Sequence, residues 1–211
     1  MPTGIALTIG LNSVDPKHYG GWSGELNACE ADAGDMAQIA TDKKFKVNTM
    51  LTNNATRDNV INEILNASKA LKSGDIFMIS YSGHGGQIKD LNGDEPDMQD
   101  ETWCLYDGEL VDDELYNLYA KFAQGVRVLV FSDSCHSGSV TKEVFLHGTA
   151  QAPRSESNPQ GVRYRFMPRG AALRTYQRNK GFYDKILSDK TLTNKKNEVK
   201  ASVLLISGCQ D

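Results

Sequence analysis

Ile76-Phe77-Met78-Ile79-Ser80-Tyr81-Ser82-Gly83-His84-Gly85-Gly86 is the stretch from which the fold reads. Residues 76–80 form a largely apolar run without alternation, the pattern of a strand covered by helices on both faces of a parallel sheet. The run then enters a cluster of small and polar residues around one imidazole. A second stretch repeats the design, since Val126–Phe131 is apolar and ends in Ser132-Asp133-Ser134-Cys135-His136-Ser137-Gly138. Open parallel sheets keep their sites at the carboxyl ends of strands. If these two strands are neighbours, His84 and Cys135 face each other across one rim.

Working outward, Ile5–Leu11 reads as a short strand, residues 26–41 as a helix and Val47–Leu51 as a second strand. Thr56 can cap the next helix, with Asp58 in its first turn and Val60, Ile64, Ala67 and Leu71 on one face. Gly74-Asp75 stops it. Beyond the acidic loop of residues 90–101, Thr102–Tyr106 reads as a strand. Leu115, Leu118, Tyr119 and Phe122 then mark an amphipathic helix, and Ser202–Ser207 a last strand. Alternating strands and helices predict an α/β fold with a mostly parallel central sheet.

A chain of 211 residues can bury one real core. Its net charge of −4 has the wrong sign for nucleic-acid binding, so no nucleic-acid partner is expected. The apolar runs are far shorter than the roughly 20 residues of a membrane span, and no membrane partner is expected. Met-Pro-Thr-Gly does not read as a secretory signal, which favours the cytoplasm. The cysteines Cys29, Cys104, Cys135 and Cys209 form no C-x-x-C pair and read as free thiols. Residues 141–200 lack clear periodicity and carry 13 Lys+Arg against 5 Asp+Glu, a basic segment on an acidic body.

A thiol is mostly protonated at neutral pH, and a nearby imidazole can take its proton. Cys135 and His84 therefore form a candidate nucleophile–base pair. Glycines on both sides of His84 leave room for a substrate backbone, and their N–H groups can hold an oxyanion. His136 is the weaker base, because adjacent side chains in an extended segment diverge.

The motifs Tyr-Ser-Gly-His-Gly-Gly-Gln at 81–87, Asp-Leu-Asn-Gly-Asp-Glu at 90–95, Asp-Asp-Glu at 112–114 and Asp-Ser-Cys-His-Ser-Gly-Ser at 133–139 together resemble the metacaspases and bacterial orthocaspases of the caspase superfamily. His84 also precedes Cys135 by 51 residues, close to the caspase interval. The resemblance implies a three-layer α/β/α sandwich and a cysteine endopeptidase. Cys135 would be its nucleophile and His84 its base, with the N–H groups of Gly85 and Cys135 forming the oxyanion hole. It implies cleavage of peptides and proteins after Arg or Lys, with Cys29, Asp32, Ser82 and Asp133 matching the specificity pocket. Carboxylates there suit a guanidinium and repel an Asp side chain.

Calcium is the cofactor the resemblance implies, with Asp100, Asp112 and Asp113 at positions like those of its ligands. Lys142 stands where the family often has a further carboxylate, with Glu143 beside it. An EF-hand reading of Asp90, Asn92, Asp94 and Glu101 fails, because its sixth position is Glu95 rather than Gly. By the same resemblance, residues 1–140 form the catalytic core, 141–200 a basic linker, and 201–211 the opening of a small-subunit region. Arg154, Arg163, Arg165, Arg169, Arg174, Arg178 and Lys180 are candidate self-cleavage sites, and the linker is expected to occupy the acidic cleft, in cis or in trans, until cut. A monomer is expected. The alternative is a catalytically silent regulatory or binding module on the same fold. A serine esterase would need a G-x-S-x-G elbow that the sequence lacks.

Overall fold

The computed structural model describes residues 2–89, 99–134, 165–189 and 198–208. Its main sheet contains β1 (Gly4–Gly10), β2 (Lys46–Leu51), β3 (Ile76–Ser82), β7 (Arg127–Asp133) and β8 (Ser202–Ser207). The order is β2-β1-β3-β7-β8, and every pairing is parallel. Helix α1 (Cys29–Asp42) covers one face over Ala6 and Met78. On the other face α2 (Arg57–Ala70) and α3 (Asp112–Tyr119) enclose Leu7, Ile9, Phe77, Ile79, Val128 and Val130. The inner strands β1, β3 and β7 thus send alternate side chains into two cores, which is why their sequences show no polar face. The sandwich is the expected one.

Local signals account for the helices. Thr56 caps α2 by accepting from Asn59 N–H at 3.3 Å, and Val60, Ile64 and Ala67 form its buried stripe. Gly10 answers a different demand. A Cβ there would meet the Cys29 carbonyl oxygen and come within 2.8 Å of Ala33 Cβ, so only glycine lets α1 begin directly over the end of β1.

Two expectations differ from what is observed. The segment read as a strand at 102–106 is β5 (Gln99–Leu105), and it lies outside the main sheet. With β4 (Gly85–Lys89) and β6 (Gly108–Val111) it forms a second, antiparallel sheet in the order β4-β5-β6. The aperiodic stretch assigned to the linker contains α4 (Arg169–Arg178) and α5 (Lys180–Leu187). Their buried residues are sparse in sequence, namely Ala171, Thr175, Tyr183 and Leu187, which is too few to show a period.

These helices close over the antiparallel sheet. Tyr183 Oη pairs with His18 Nε2 at 2.7 Å and accepts from Glu109 N–H at 3.3 Å. Arg57 makes a bidentate ion pair with Glu114, at 3.0 and 2.7 Å, and also donates to the Glu109 carbonyl. The Glu109 carboxylate lies within this buried network and accepts from Thr102 Oγ1 at 2.8 Å. Burial raises its pKa to about 7, although the Thr102 and Tyr183 hydroxyls and the Arg57 charge pull it back.

Two predictions follow from this packing. Gly10→Ala should destabilise the fold by roughly 1–3 kcal/mol, because the added methyl group meets backbone rather than a movable side-chain tip; urea unfolding measures it. Between pH 4.5, the ordinary carboxyl value, and about 7, the folded chain holds a proton at Glu109 that the unfolded chain has lost. Stability should therefore fall as pH rises through that window, by on the order of 3 kcal/mol, and Glu109→Gln should flatten the slope in unfolding curves taken at several pH values.

Candidate active site

The main sheet's register sets one row across its carboxyl edge: Gly10 is paired with Ser82, and Ser82 with Asp133. Strands β3 and β7 are thus neighbours, and the chain leaves both at the same rim. Beyond Ser82 it turns through Gly83 and His84 into β4. Tyr81 Oη ties that turn down, donating to the His84 carbonyl at 2.7 Å and the Cys104 carbonyl at 3.1 Å, while its ring stacks on Trp103 at 4.6 Å. Trp103 Nε1 donates to Ser132 Oγ at 3.1 Å, so the second sheet is pinned to the end of β7.

His84 is buried, with Nε2 at 2.9 Å from the Gly24 carbonyl. A carbonyl only accepts, so Nε2 carries a proton and donates this bond. Trp22 lies against the imidazole, with ring centroids 4.7 Å apart. Gly24 fits between them because it is glycine. Its φ of +54° is left-handed, and a Cβ would lie 2.9 Å from the Trp22 ring and 3.0 Å from His84 Cδ2. Neither Trp22 nor Gly24 carries a motif that points to His84.

The four residues matched to the specificity pocket come together, and they surround the chain's own Arg165. Its guanidinium donates to Asp32 Oδ2 at 2.7 Å, to Ser82 Oγ at 2.8 Å and to the Asp133 carboxylate. Ser82 Oγ in turn donates to Asp32 Oδ2 at 2.8 Å. Burial works against the guanidinium charge, but the Asp32 hydrogen bond and the charges around it prevail and raise the Arg165 pKa. Cys29 sits buried at the pocket wall. Burial raises its pKa against the pull of Ser82 and Arg165, which keeps it a thiol rather than a rival nucleophile.

The backbone of Arg165 is held as well. Gly85 N–H donates to the Arg165 carbonyl at 2.9 Å, and Met167 N–H donates to the Gly85 carbonyl at 2.7 Å. Phe166 bridges Gly85 in parallel. Arg165 is thus held at both ends, its side chain among Asp32, Ser82 and Asp133 and its carbonyl on Gly85 N–H, one residue from His84. Cys135, His136, Lys142 and Cys209 lie outside the described residues.

Antiparallel pairing carries β5 and β6 so that Asp100 and the Asp112–Asp113 pair reach the same end of that ladder. Among the described residues, however, no three carboxylate, His or Cys side chains gather closely enough to hold a metal ion. This donor set is incomplete for calcium, which takes six to eight oxygens. Among the described residues, a cavity of about 590 Å³ lies between α3 and β8 and is mainly apolar. A second, of about 360 Å³, adjoins Asp32, Ser82, Asp133 and Gly208 beside the pocket. Among the described residues, no helix is long and apolar enough to cross a membrane.

Comparison with known proteins places these features in context. The caspase domain model matches residues 3–211. Metacaspase-1 of Schizosaccharomyces pombe is 33% identical over 159 residues, covering 68% of this chain and 36% of its own. Metacaspase-1 of Mycosarcoma maydis is 29% identical over 232 residues, 98% of this chain and 56% of its own. This chain spans about a third to just over half the length of these curated relatives. A protein from Geobacter sulfurreducens with a solved crystal structure is 60% identical, with a TM-score of 0.84, over all of this chain and 74% of that one.

The Gly24 contact predicts a spectroscopic change. In the unaltered chain the ¹⁵N shifts of His84 should report a single tautomer protonated at Nε2. Gly24→Ala should displace the imidazole and yield mixed tautomers while far-ultraviolet circular dichroism is unchanged.

Proposed function

Since the chain belongs to the caspase-domain family of cysteine peptidases and is metacaspase-like, we propose that it is an endopeptidase cutting after Arg or Lys, and that its first substrate is its own Arg165–Phe166 bond. The observation that carries this reading is the seat of Arg165, whose side chain lies among Asp32, Ser82 and Asp133 while its carbonyl accepts from Gly85 N–H. Two carboxylates facing one planar guanidinium favour Arg over Lys, which offers a single ammonium, and they repel Asp.

In the proposed mechanism Nδ1 of His84 takes the proton of the Cys135 thiol. The thiolate adds to the Arg carbonyl carbon, and the oxyanion that forms is held by Gly85 N–H and by the N–H of Cys135. Collapse expels the amine, which takes the proton from the imidazolium. Water, activated by the same imidazole, then hydrolyses the thioester. The Gly24 carbonyl keeps the imidazole in the required tautomer throughout. Asp100, Asp112 and Asp113 would supply only part of a calcium site, where the ion would neutralise their charge, and its remaining oxygens would have to come from other groups.

With its pocket filled by Arg165, the intact chain is self-blocked. The test is a panel of fluorogenic peptides ending in Arg, Lys or Asp, with calcium or a chelator. Arg should be cut faster than Lys, and Asp not at all. Cys135→Ala should be inactive, and Asp32→Asn should raise KM at least about tenfold through loss of a charge-assisted contact. Arg165→Ala should lower the KM for added peptide, because the pocket starts empty. Equal activity with chelator would remove calcium from the reading, and no cleavage in any lane would favour the silent module.

A further inference from the structure

The two sides of the Arg165–Phe166 bond are anchored independently. On the amino side, Asp32, Ser82 and Asp133 grip the guanidinium. On the carboxyl side, Met167 is buried and its N–H is bonded to the Gly85 carbonyl. The chain then enters α4 and α5, whose Ala171, Thr175 and Tyr183 are buried, and β8 is laddered to β7. None of these contacts uses the bond itself, so cutting it leaves the Phe166 side packed in place and the Arg165 side held by its guanidinium alone, from which an added Arg peptide can displace it. A leaving amine normally diffuses away and leaves the acyl-enzyme to water. Here the amine of Phe166 is created beside Gly85 and held there.

Resting on the peptidase reading above, we propose that this cut is reversible and that the nicked chain is a peptide ligase whose amine acceptor is its own Phe166. The chemistry balances without a further reactant. Cys135 Sγ bonds to the Arg carbonyl carbon as the C–N bond breaks, and the imidazolium proton passes to the departing Phe166 nitrogen. In the return step that nitrogen attacks the thioester, the C–N bond forms, the C–S bond breaks, and the ammonium proton returns through His84 to the thiolate. An acyl donor of a second kind, any peptide whose Arg carbonyl carries a leaving group, loads the same thioester and is passed to the same amine. An amine held beside Gly85, whose N–H takes the Arg carbonyl, has an effective concentration that solution nucleophiles do not reach, with measured intramolecular cases running from about 10⁵ M upward.

The test uses the full chain after self-cleavage and a dye-labelled peptide ending in an Arg coumarylamide, in excess so that it competes with the Arg165 carboxylate for the pocket. Released coumarin counts acylation. Mass spectrometry of the 166–211 fragment counts transfer of the dye-labelled peptide to Phe166. We expect at least about one transfer per ten coumarins released, given that proximity advantage. Arg165→Gln, in which the Phe166 amine is not generated, should release coumarin and yield no labelled 166–211 fragment. Coumarin release and a cut at Arg165–Phe166 with no dye on Phe166 would overturn the ligase while leaving the peptidase standing. Coumarin release without a cut at that bond would overturn the choice of acceptor, and hence the ligase. Neither release nor cut would overturn the peptidase reading and the ligase together.

Discussion

The parallel ladder joining β1, β3 and β7 sets Gly10, Ser82 and Asp133 in one row at the carboxyl edge of the main sheet. Slipping any strand by one residue would reverse which side chains meet each core, so the row is held by the burial of Leu7, Ile9, Phe77, Ile79, Val128 and Val130. Everything at the site hangs from it. Gly10 admits the first turn of α1 and with it Asp32, Ser82 bridges Asp32 and the guanidinium, and Asp133 closes the other side. The same edge sends β3 into the turn that carries His84.

The antiparallel sheet and the α4–α5 pair serve this edge from outside. Trp103 and Tyr81 fasten the second sheet to β7 and to the His84 turn, and that fixes the direction in which Gly85 presents its N–H. The α4–α5 pair, held by Tyr183 against His18 and Glu109, in turn brings Arg165–Met167 alongside Gly85. Residues 165–167 and the edge that carries His84 are thus packed into one unit rather than merely tethered. A charged pocket left empty would face water at little cost, but a pocket filled by Arg165 pairs two carboxylates and seats the Arg165 carbonyl on Gly85 N–H.

Much of this was readable in advance, and the unread part has a common cause. Strands β3 and β7 announce themselves as largely apolar runs, and Thr56 and the stripe of α2 follow from local rules. The strand at 102–106 was readable as a strand but not as a member of a second sheet, because pairing partners are not a local property. Helices α4 and α5 escaped because each buries only two residues along its length. Seven basic residues beyond the nucleophile were equivalent in sequence, and only packing singled out Arg165.

By itself the sequence determined the alternation of strands and helices, the imidazole and thiol at two strand ends, and through its motifs the acidic residues that match a basic pocket. These depend on residue type and short spacing, which the linear chain carries in full. The tertiary structure decided which arginine enters the pocket, which carbonyl sets the tautomer of His84, and that both flanks of one peptide bond are held. Those outcomes bring together residues as distant as Asp32 and Arg165, or Gly24 and His84. Only the burial of two cores against one sheet brings them within hydrogen-bonding distance.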